Sequence, residues 1–325
     1  MNSLSKAPAR GPAAVTTAEV DQEGAGQRLD NFLVRRLKGV PKSHVYRLLR
    51  TGQVRVNSRR VDATYRLQCG DRVRIPPVRT AHPAVVREVR RPAAPLLGRN
   101  PLLEDEWLLA IDKPAGVAVH GGSGVSRGAI EQLRLERPAL RFLELVHRLD
   151  RETSGVLLLA KKRSALTDLH RQLRDGLVEK RYLVLVAGDW RSARQVVKLP
   201  LVRRVTAQGE RRVSVEAGGM ASHTEFTLQR HFPGFSLLAA ELHTGRTHQI
   251  RVHLAHLGFP IAGDDKYGDF GLNKVLAKRG LKRMFLHAAE LGFRHPGSGA
   301  PVRLTAPLAP DLAAFLAALE AQGGP

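Results

Sequence analysis

The feature that most constrains this fold is a stretch in the first third of the chain, residues 76–101, which contains six prolines and five arginines. Proline cannot donate a backbone hydrogen bond and disfavours helix in the residue before it, so such a stretch is extended rather than packed. We therefore expect the chain of 325 residues to fold as separate domains on the two sides of this segment. We expect four segments: a flexible tail over 1–19, a small domain over 20–76, a linker over 77–101 and a large domain over 102–320.

Positive charge is concentrated in the first hundred residues. Residues 1–100 contain 20 Lys and Arg against 7 Asp and Glu, and the whole chain has a formal net charge of +22. Such a charge attracts polyanions, either nucleic acid or an anionic membrane surface. Apolar runs such as Val156–Ala160 are far shorter than the roughly 18–20 residues of a membrane-spanning helix. We therefore expect a nucleic acid partner and no membrane.

Several common classes of site are disfavoured by what the chain lacks. The single cysteine, Cys69, excludes an intramolecular disulfide and a zinc site built from cysteines. A zinc-binding helix needs two histidines four residues apart, whereas His253 and His256 are three apart. The sequence also lacks the phosphate-binding loop G-x-x-x-x-G-K-[ST] and the dinucleotide-binding pattern G-x-G-x-x-G. We expect neither a metal nor a cofactor, and the cysteine content favours a reducing, cytoplasmic location.

The segment before the linker reads as a compact module. Apolar residues at helical spacing predict one helix over 29–37 and a second over 43–52. Short strands are predicted at Val54–Asn57 and Val73–Ile75, the second one after a Gly-Asp turn. Two small helices followed by strands can enclose a small core of their own.

Basic side chains cluster on and around the second helix. Arg47 and Arg50 are three residues apart and so share a face of it. The residues that we predict to bind RNA here are Lys42, Arg47, Arg50, Arg55 and Arg59. Composition alone explains them equally well as ordinary solvated charges. However, the segment resembles the S4 RNA-binding domain in RLDNFLVRRL, KSHVYRLLRTGQVRVN and GDRVRIP, which implies docking on structured RNA.

Beyond the linker, strand-like and helix-like patterns alternate. Strands are predicted at Trp107–Asp112, Leu143–Val146, Gly155–Ala160, Tyr182–Ala187, Thr224–Leu228 and Phe235–Leu242. Helices are predicted at Ser164–Arg174, Thr247–Leu257 and Asp311–Ala321. This mixture, with short connections, indicates an α+β domain of the size of a catalytic domain.

The segment LVHRLDRETSGVLLLAKK, residues 145–162, places a polar cluster between two apolar runs. A cluster bounded by two buried strands lies at the end of a sheet, where a cleft can form. Arg148 precedes Asp150 by two residues, and a carboxylate beside guanidinium groups is held ionised, as a nucleophile or proton acceptor must be. Composition alone favours the plainer interpretation, a salt bridge that stabilises the loop. His147 in the same cluster is a further RNA-binding candidate.

The segment ELHTGRTHQIRVHLAHLGFPIAGDDKYG, residues 241–268, contains a short amphipathic helix. Ile250 lies on its apolar stripe and Arg251 lies beside that stripe. A partly buried arginine needs a carboxylate partner, and Asp150 is a candidate. A surface contact with phosphate is the alternative for this arginine.

Five motifs resemble the RluA family of pseudouridine synthases and occur in the order of that family. They are DKPAGVAVH at 112–120, HRLDRETSG at 147–155, EKRYLVLV at 179–186, TGRTHQIRVHLAHLGFPIAGDDKYG at 244–268 and FLHAAELGF at 285–293. The resemblance covers nearly all of residues 20–310 and is far more specific than any one motif. It implies a catalytic domain with a mixed, largely antiparallel sheet, behind an S4-like RNA-binding domain. It implies an isomerase that detaches uracil from ribose and rejoins it through C5.

The same resemblance implies a role for each residue that matches a motif. Asp150 matches the catalytic aspartate, which either attacks the sugar or promotes elimination. Arg148 matches the residue that fills the space left by the flipped base, and Tyr182 matches the tyrosine that faces the uracil. Arg251 matches the basic partner of the aspartate, and Ile250 matches the apolar residue under the base. Without the family, Tyr182 reads as a core aromatic residue on a strand.

Finer details favour one branch of that family. The segments KGVPKSHVYRLLR, VRIPPVR and RFLELVHRLDR resemble members that act on 23S ribosomal RNA. We therefore expect 23S rRNA, or the large ribosomal subunit during its assembly, as the partner, and a monomeric enzyme. Two alternatives remain open: a tRNA-directed synthase of the same family and a non-catalytic ribosome-assembly factor of the S4 type.

Overall fold

A computed structural model describes residues 15–22, 24–37, 40–78, 96–121, 128–205 and 211–322. The chain divides into two compact units, an N-terminal unit over 1–94 and a C-terminal unit over 95–325. Most of the expected tail and the middle of the expected linker, residues 1–14 and 79–95, lie outside the described residues. None of the helices in the described ranges has the length and apolarity needed to cross a membrane.

The N-terminal unit consists of two helices packed on a small antiparallel sheet. Its elements are β1 (Thr16–Glu19), α1 (Leu29–Arg36), α2 (Lys42–Arg50), β2 (Arg55–Val56) and β3 (Arg72–Ile75). Strand β3 lies between the other two, and Leu29, Leu33 and Val45 are fully buried against it. The structure confirms the predicted helices and strands. Strand β1 was not predicted, because it lies in the expected tail and buries only Ala18.

The C-terminal unit contains the remaining elements. Its strands are β4 (Leu103–Glu104), β5 (Leu108–Lys113), β6 (Glu144–Leu145), β7 (Ser154–Ala160), β8 (Glu179–Ala187), β9 (Arg194–Val197), β10 (Leu201–Val205), β11 (Arg211–Val215), β12 (Thr224–Phe232), β13 (Phe235–Leu242), β14 (Leu286–Arg294) and β15 (Pro301–Thr305). Its helices are α3 (Ala129–Glu136), α4 (Arg163–Arg174), α5 (Gln249–His256), α6 (Phe270–Lys278) and α7 (Pro310–Gln322). Each strand and helix predicted for this part is present, with ends shifted by at most four residues.

Within the described residues, ten strands form one sheet in the order β4-β5-β7-β14-β8-β13-β12-β9, with β6 beside β7 and β15 beside β14. Strands β10 and β11 form a separate hairpin. Neighbours in the large sheet pair antiparallel, apart from the parallel pair β7 and β14. The α+β, largely antiparallel fold is therefore confirmed.

The parallel pair places the polar loop that precedes β7 at the middle of the sheet. Gly155 lies opposite Ala288 at the start of this pair and has a φ of +109°. A Cβ atom at Gly155 would lie 2.2 Å from the carbonyl oxygen of Ala288, so only glycine permits this approach. Tyr182 of β8 also pairs with Ala288. The loop before β7 and the side chain of Tyr182 therefore meet at one end of the central strands.

Strand β7 is buried on both faces of the sheet. Leu157 and Leu159 belong to one apolar cluster, whereas Val156 and Leu158 belong to another. This explains why the strand reads as a continuous apolar run rather than as an alternating one. A strand that is buried on both faces gives the loop before it a rigid attachment.

Candidate active site

A cleft of about 890 Å³ opens at this end of the central strands. The loop before β7, strand β8, and the segment that joins β13 to α5 contribute its walls. The lining includes the predicted residues of this unit: His147, Arg148, Asp150, Tyr182, Ile250 and Arg251. Residues separated by about a hundred positions in the chain therefore share one cavity.

The carboxylate of Asp150 is held through one of its two oxygens. Arg251 donates a hydrogen bond from Nη1 to Oδ2 at 3.2 Å, and Nε2 of His248 lies 3.9 Å from the same oxygen. The side chain is 28% exposed. Within the described residues, Oδ1 has no hydrogen-bond partner, which leaves it available to a ligand in the cleft.

Arg251 is fixed from behind by a second carboxylate that the sequence reasoning missed. Its Nε and Nη2 atoms each donate to Asp264 at 2.7 Å, which leaves Nη1 for Asp150. Asp264 is fully buried and also accepts the backbone N–H groups of Lys266 and Tyr267. Burial alone would raise the pKa of Asp264, but the bonds from Arg251 hold it below its usual value. Burial alone would lower the pKa of Arg251, but the two carboxylates raise it, so the guanidinium stays charged.

Tyr182 and Ile250 give the cleft an apolar wall. They are 8% and 4% exposed and belong to the same core cluster. Burial, together with the charge of Asp150, raises the pKa of Tyr182, so its hydroxyl stays protonated. The two interpretations of Tyr182, a core aromatic residue and a wall of the site, are therefore compatible.

The two residues that precede Leu149 differ in what they contact. Arg148 is exposed and lines the cleft. His147 accepts a hydrogen bond at Nε2 from the backbone N–H of Leu158 in β7, at 3.1 Å. Burial lowers the pKa of His147 to about 4, so the ring is neutral at pH 7. One ring nitrogen of His147 is thus used by the fold, and its contact with RNA stays a prediction.

A buried lysine ties the loop before β7 to the sheet. Lys113, at the end of β5, is fully buried, and its Nζ donates to the carbonyl oxygens of Pro114, Val117 and Arg151. Burial lowers the pKa of Lys113 to about 8. The bond to Arg151 restrains the residue directly after Asp150. This lysine lies in the motif DKPAGVAVH but was not predicted as a site residue.

In the N-terminal unit, the four described RNA-binding candidates are on the surface. Arg47, Arg50, Arg55 and Arg59 are all exposed, and none forms an ion pair with a carboxylate within the described part of the chain. Their charges remain available to a polyanion. Lys42 is the first residue of α2, and its side chain lies outside the described residues.

Comparison with protein families matches both units of the chain. The family described as RNA pseudouridylate synthase matches residues 107–256, which include the loop before β7 and the whole of α5. The S4 domain matches residues 27–73, which include both helices of the N-terminal unit.

Individual relatives agree with these matches. The chain is 50% identical to the ribosomal large subunit pseudouridine synthase C of Pasteurella multocida, over 95% of each protein. It is 51% identical to the protein of the same name from Escherichia coli K12, over 91% of this chain and 93% of that one. Among solved structures, human RNA pseudouridylate synthase domain containing 4 is similar over 69% of this chain and 94% of its own, with 25% identity and a TM-score of 0.56. The human domain containing 1 is similar over 69% and 90%, with 26% identity and a TM-score of 0.56.

Proposed function

The chain belongs to the family of RNA pseudouridine synthases, and we propose that it isomerises specific uridines of 23S ribosomal RNA with Asp150 as its catalytic residue. Two bacterial relatives that share half of their residues with this chain are named for the large ribosomal subunit. The substrate is free 23S rRNA or the assembling large subunit. Ribosomal RNA is modified where ribosomes assemble, so we propose a cytoplasmic location. We also propose that the enzyme is a monomer.

The observation that supports this role most directly is the asymmetry of the Asp150 carboxylate. Arg251 binds Oδ2, whereas Oδ1 accepts no hydrogen bond within the described residues, and Asp150 lines the cleft. In the reaction, the bond from N1 of uracil to the ribose C1′ breaks and a bond from C5 to C1′ forms. C5 loses its hydrogen as a proton and N1 gains one, so no oxidant or reductant is consumed. Attack on the sugar and elimination both need an unprotonated carboxylate oxygen beside the ribose, and Oδ1 is that atom.

The walls of the cleft receive the uracil. A base that leaves its stack costs a few kcal/mol, which the enzyme must recover through contacts with the flipped base. Tyr182 and Ile250 supply an apolar surface for one face of the ring. Arg148, which is exposed at the rim, places its planar guanidinium in the gap that the base leaves in the RNA stack.

The N-terminal unit supplies further contacts with the RNA. It matches the S4 domain, and its surface presents Arg47, Arg50, Arg55 and Arg59, which form no ion pair with a carboxylate within the described residues. Contacts of arginine with phosphate position an RNA without reading its sequence, so this unit supplies affinity and orientation.

Release of tritium from 23S rRNA labelled at C5 of uracil tests the proposal, because C5 loses its hydrogen when it becomes the glycosidic carbon. We expect release by the wild type and by Asp175→Asn, an exposed aspartate at the end of α4, and none by Asp150→Asn. Release by all three proteins would keep the enzyme class and overturn the role of Asp150. If none of the three released tritium although the RNA was bound, the 23S proposal would fail. Release of tritium from tRNA instead would then identify a pseudouridine synthase that acts on tRNA, and release from neither RNA would favour a ribosome-assembly factor.

A further inference from the structure

Two side chains outside the predicted set lie close to Asp150: His248 faces its carboxylate, and Tyr267 contacts His248. We propose that they are positioning residues: the hydroxyl of Tyr267 orients the ring of His248 so that its Nε2–H group faces Oδ2 of Asp150. Together with Arg251, this second donor fixes Oδ2 and keeps Oδ1 turned toward the uridine. The inference rests on the proposed function, since it concerns the same aspartate.

The three groups form a continuous chain of contacts that starts at a backbone amide. The N–H group of Val213, in hairpin strand β11, donates to the hydroxyl of Tyr267 at 3.0 Å. That hydroxyl lies 2.8 Å from Nδ1 of His248, and Nε2 of His248 lies 3.9 Å from Oδ2 of Asp150. A movement of roughly 1 Å brings the last pair within hydrogen-bond distance. Contacts of this kind tighten when the substrate binds.

In the arrangement that we propose, Nε2 of His248 carries the proton of the ring. The Tyr267 oxygen accepts the N–H group of Val213 and donates its own hydrogen to Nδ1 of His248. Nδ1 is then the acceptor, and a neutral ring must carry its hydrogen on Nε2, the atom that faces Asp150. Burial lowers the pKa of His248 below its ordinary value, against the opposite effect of Asp150, which favours the neutral ring.

The backbone at His248 is strained, as is common at functional sites. His248 has a φ of +55° and a ψ of 21°, in the left-handed region, directly before α5. A side chain other than glycine in that region costs roughly 1–2 kcal/mol. Such strain persists only where the surrounding structure holds the residue in place. Here the bond to Tyr267 supplies that restraint, and the ring of Tyr267 also lies 5.1 Å from the guanidinium carbon of Arg251. One tyrosine therefore contacts both groups that face Oδ2.

Tyr267→Phe tests the inference, because it removes the hydroxyl and keeps the ring against Arg251. We expect its kcat on 23S rRNA to fall roughly tenfold to a hundredfold while KM changes less than about twofold, because only the orientation of the reacting group is affected. His248→Asn should give a similar fall in kcat, because it removes the imidazole. Asparagine is chosen because it tolerates the left-handed backbone at this position. The double variant should be no slower than His248→Asn alone, because the two residues act through one contact. The matched control is Tyr46→Phe. The hydroxyl of Tyr46 donates to Asp30 in the N-terminal unit, and the variant that lacks it should have the kcat of the wild type.

Three results would overturn the inference: a Tyr267→Phe enzyme with the kcat of the wild type, an effect confined to KM, or effects that multiply in the double variant. Tyr267→Phe also leaves the N–H group of Val213 without its acceptor, so thermal unfolding of each variant is measured alongside. If that loss unfolds Tyr267→Phe, His248→Asn decides the question, because it leaves the bond between Val213 and Tyr267 in place. A wild type that is inactive on RNA in the same assay would instead refute the proposed function, and the inference with it.

Discussion

The tripeptide Arg-Leu-Asp occurs twice in this chain, at 28–30 in the N-terminal unit and at 148–150 in the C-terminal unit. In the first copy the arginine binds its own aspartate, with Nε and Nη2 of Arg28 donating to the two oxygens of Asp30. The hydroxyl of Tyr46 and the backbone N–H of Asn31 complete the shell. Both oxygens of Asp30 are thus used, and the side chain is almost fully buried.

In the second copy, no hydrogen bond or ion pair joins the arginine to its own aspartate within the described residues. Arg148 is exposed, and Asp150 is held instead by Arg251, which is 101 residues further along the chain. Only Oδ2 is bound within the described residues, and the carboxylate is partly open to the cleft. The same local sequence therefore gives a structural aspartate where both carboxylate oxygens are bound. It gives the aspartate that we propose to be catalytic where a distant residue binds only one of the two oxygens.

The largest expected effect separates the two aspartates. Asp150→Asn should reduce kcat roughly a thousandfold or more, because an amide is neither a nucleophile nor a base, while thermal stability changes little. Asp30→Asn should do the opposite. It removes a buried charged acceptor and should destabilise the N-terminal unit by roughly 1–3 kcal/mol, with kcat retained at saturating RNA. Tritium release and thermal unfolding of both variants measure this contrast.

If kcat fell as far in Asp30→Asn as in Asp150→Asn, Asp30 would not be a purely structural residue. If Asp150→Asn unfolded the C-terminal unit, Asp150 would be structural as well. Circular dichroism of each variant at the assay temperature distinguishes a folded inactive enzyme from an unfolded one.

The next largest effect concerns the two arginine partners. Arg251→Lys replaces a planar guanidinium, which binds two carboxylates, with a single ammonium group. Asp264 then stays buried without the two hydrogen bonds that it accepts from Arg251. We expect a destabilisation of roughly 3–5 kcal/mol and a fall in kcat on the order of a hundredfold. Arg28→Lys, whose side chain is 41% exposed, should cost less than about 1 kcal/mol and leave kcat unchanged.

A second matched control lies on the large sheet itself. Arg303 also bridges two carboxylates, Glu179 and Glu290, but its side chain is 60% exposed. Arg303→Lys should resemble the wild type in activity and unfolding. If Arg303→Lys matched the loss of Arg251→Lys, bridging two carboxylates rather than holding Asp150 would explain the effect.

The parts of the fold that the sequence predicted are those with strong local patterns. Strand β7 was predicted because a run of apolar residues between polar loops is typical of a strand buried on both faces. Helix α4 was predicted because its apolar residues recur at helical spacing. Strands β1, β4, β9, β14 and β15, the hairpin of β10 and β11, and helices α3 and α6 were missed. Strand β14 lies inside the large sheet, and its segment FLHAAELGF was noted only for its resemblance to the family. Short strands at an edge bury few side chains, and their pairing depends on partners elsewhere in the chain.

The candidate site shows the same division. Asp150 and Arg251 could be proposed as a pair, because a buried guanidinium requires a carboxylate and the family motifs contain both. Asp264 was missed, although the capacity of arginine for two carboxylates is a usable signal. Lys113 and Tyr267 were missed because their roles arise from backbone groups, the carbonyl of Arg151 and the N–H of Val213, which no side-chain pattern reveals.

A smaller effect should distinguish the two units by their response to acid. Burial lowers the pKa of His147 to about 4, and it also lowers the pKa of His253 and His287. Between pH 6.5 and 4 the unfolded chain binds protons that the folded C-terminal unit does not, so the stability of this unit falls as the pH falls. The shift of His147 corresponds to at most about 3 kcal/mol, and to less because its ring is partly exposed. Fluorescence of Trp107 and Trp190, both in this unit, follows its urea unfolding at pH 7 and pH 5.

The N-terminal unit should respond only in stronger acid. Burial alone would raise the pKa of Asp30, but the bonds from Arg28 and Tyr46 hold it below its usual value. The stabilisation from Asp30 is therefore fully present above about pH 4 and is lost as the pH falls through that lowered value. Calorimetry of the whole chain should show the unfolding transition reported by tryptophan moving down in temperature at pH 5, while the other transition stays. A tryptophan transition that is equally stable at pH 5 and pH 7 would contradict the neutral, buried state of these histidines.

The smallest effect is expected for a single arginine on the surface of the N-terminal unit. Arg50→Gln removes one contact with phosphate, so RNA affinity should fall roughly threefold to tenfold and the slope of log affinity against log salt should decrease by about one. The value of kcat at saturating RNA should not change, because a contact with phosphate contributes to binding rather than to the reaction. Arg35→Gln, an exposed arginine on α1 outside the predicted set, is the matched control and should leave the salt slope unchanged. The fall caused by Arg251→Lys should be nearly independent of salt, since that guanidinium is buried and poorly screened. Equal salt slopes for Arg50→Gln and the wild type would show that Arg50 does not contact phosphate, and the arginines of this unit would then be ordinary solvated charges.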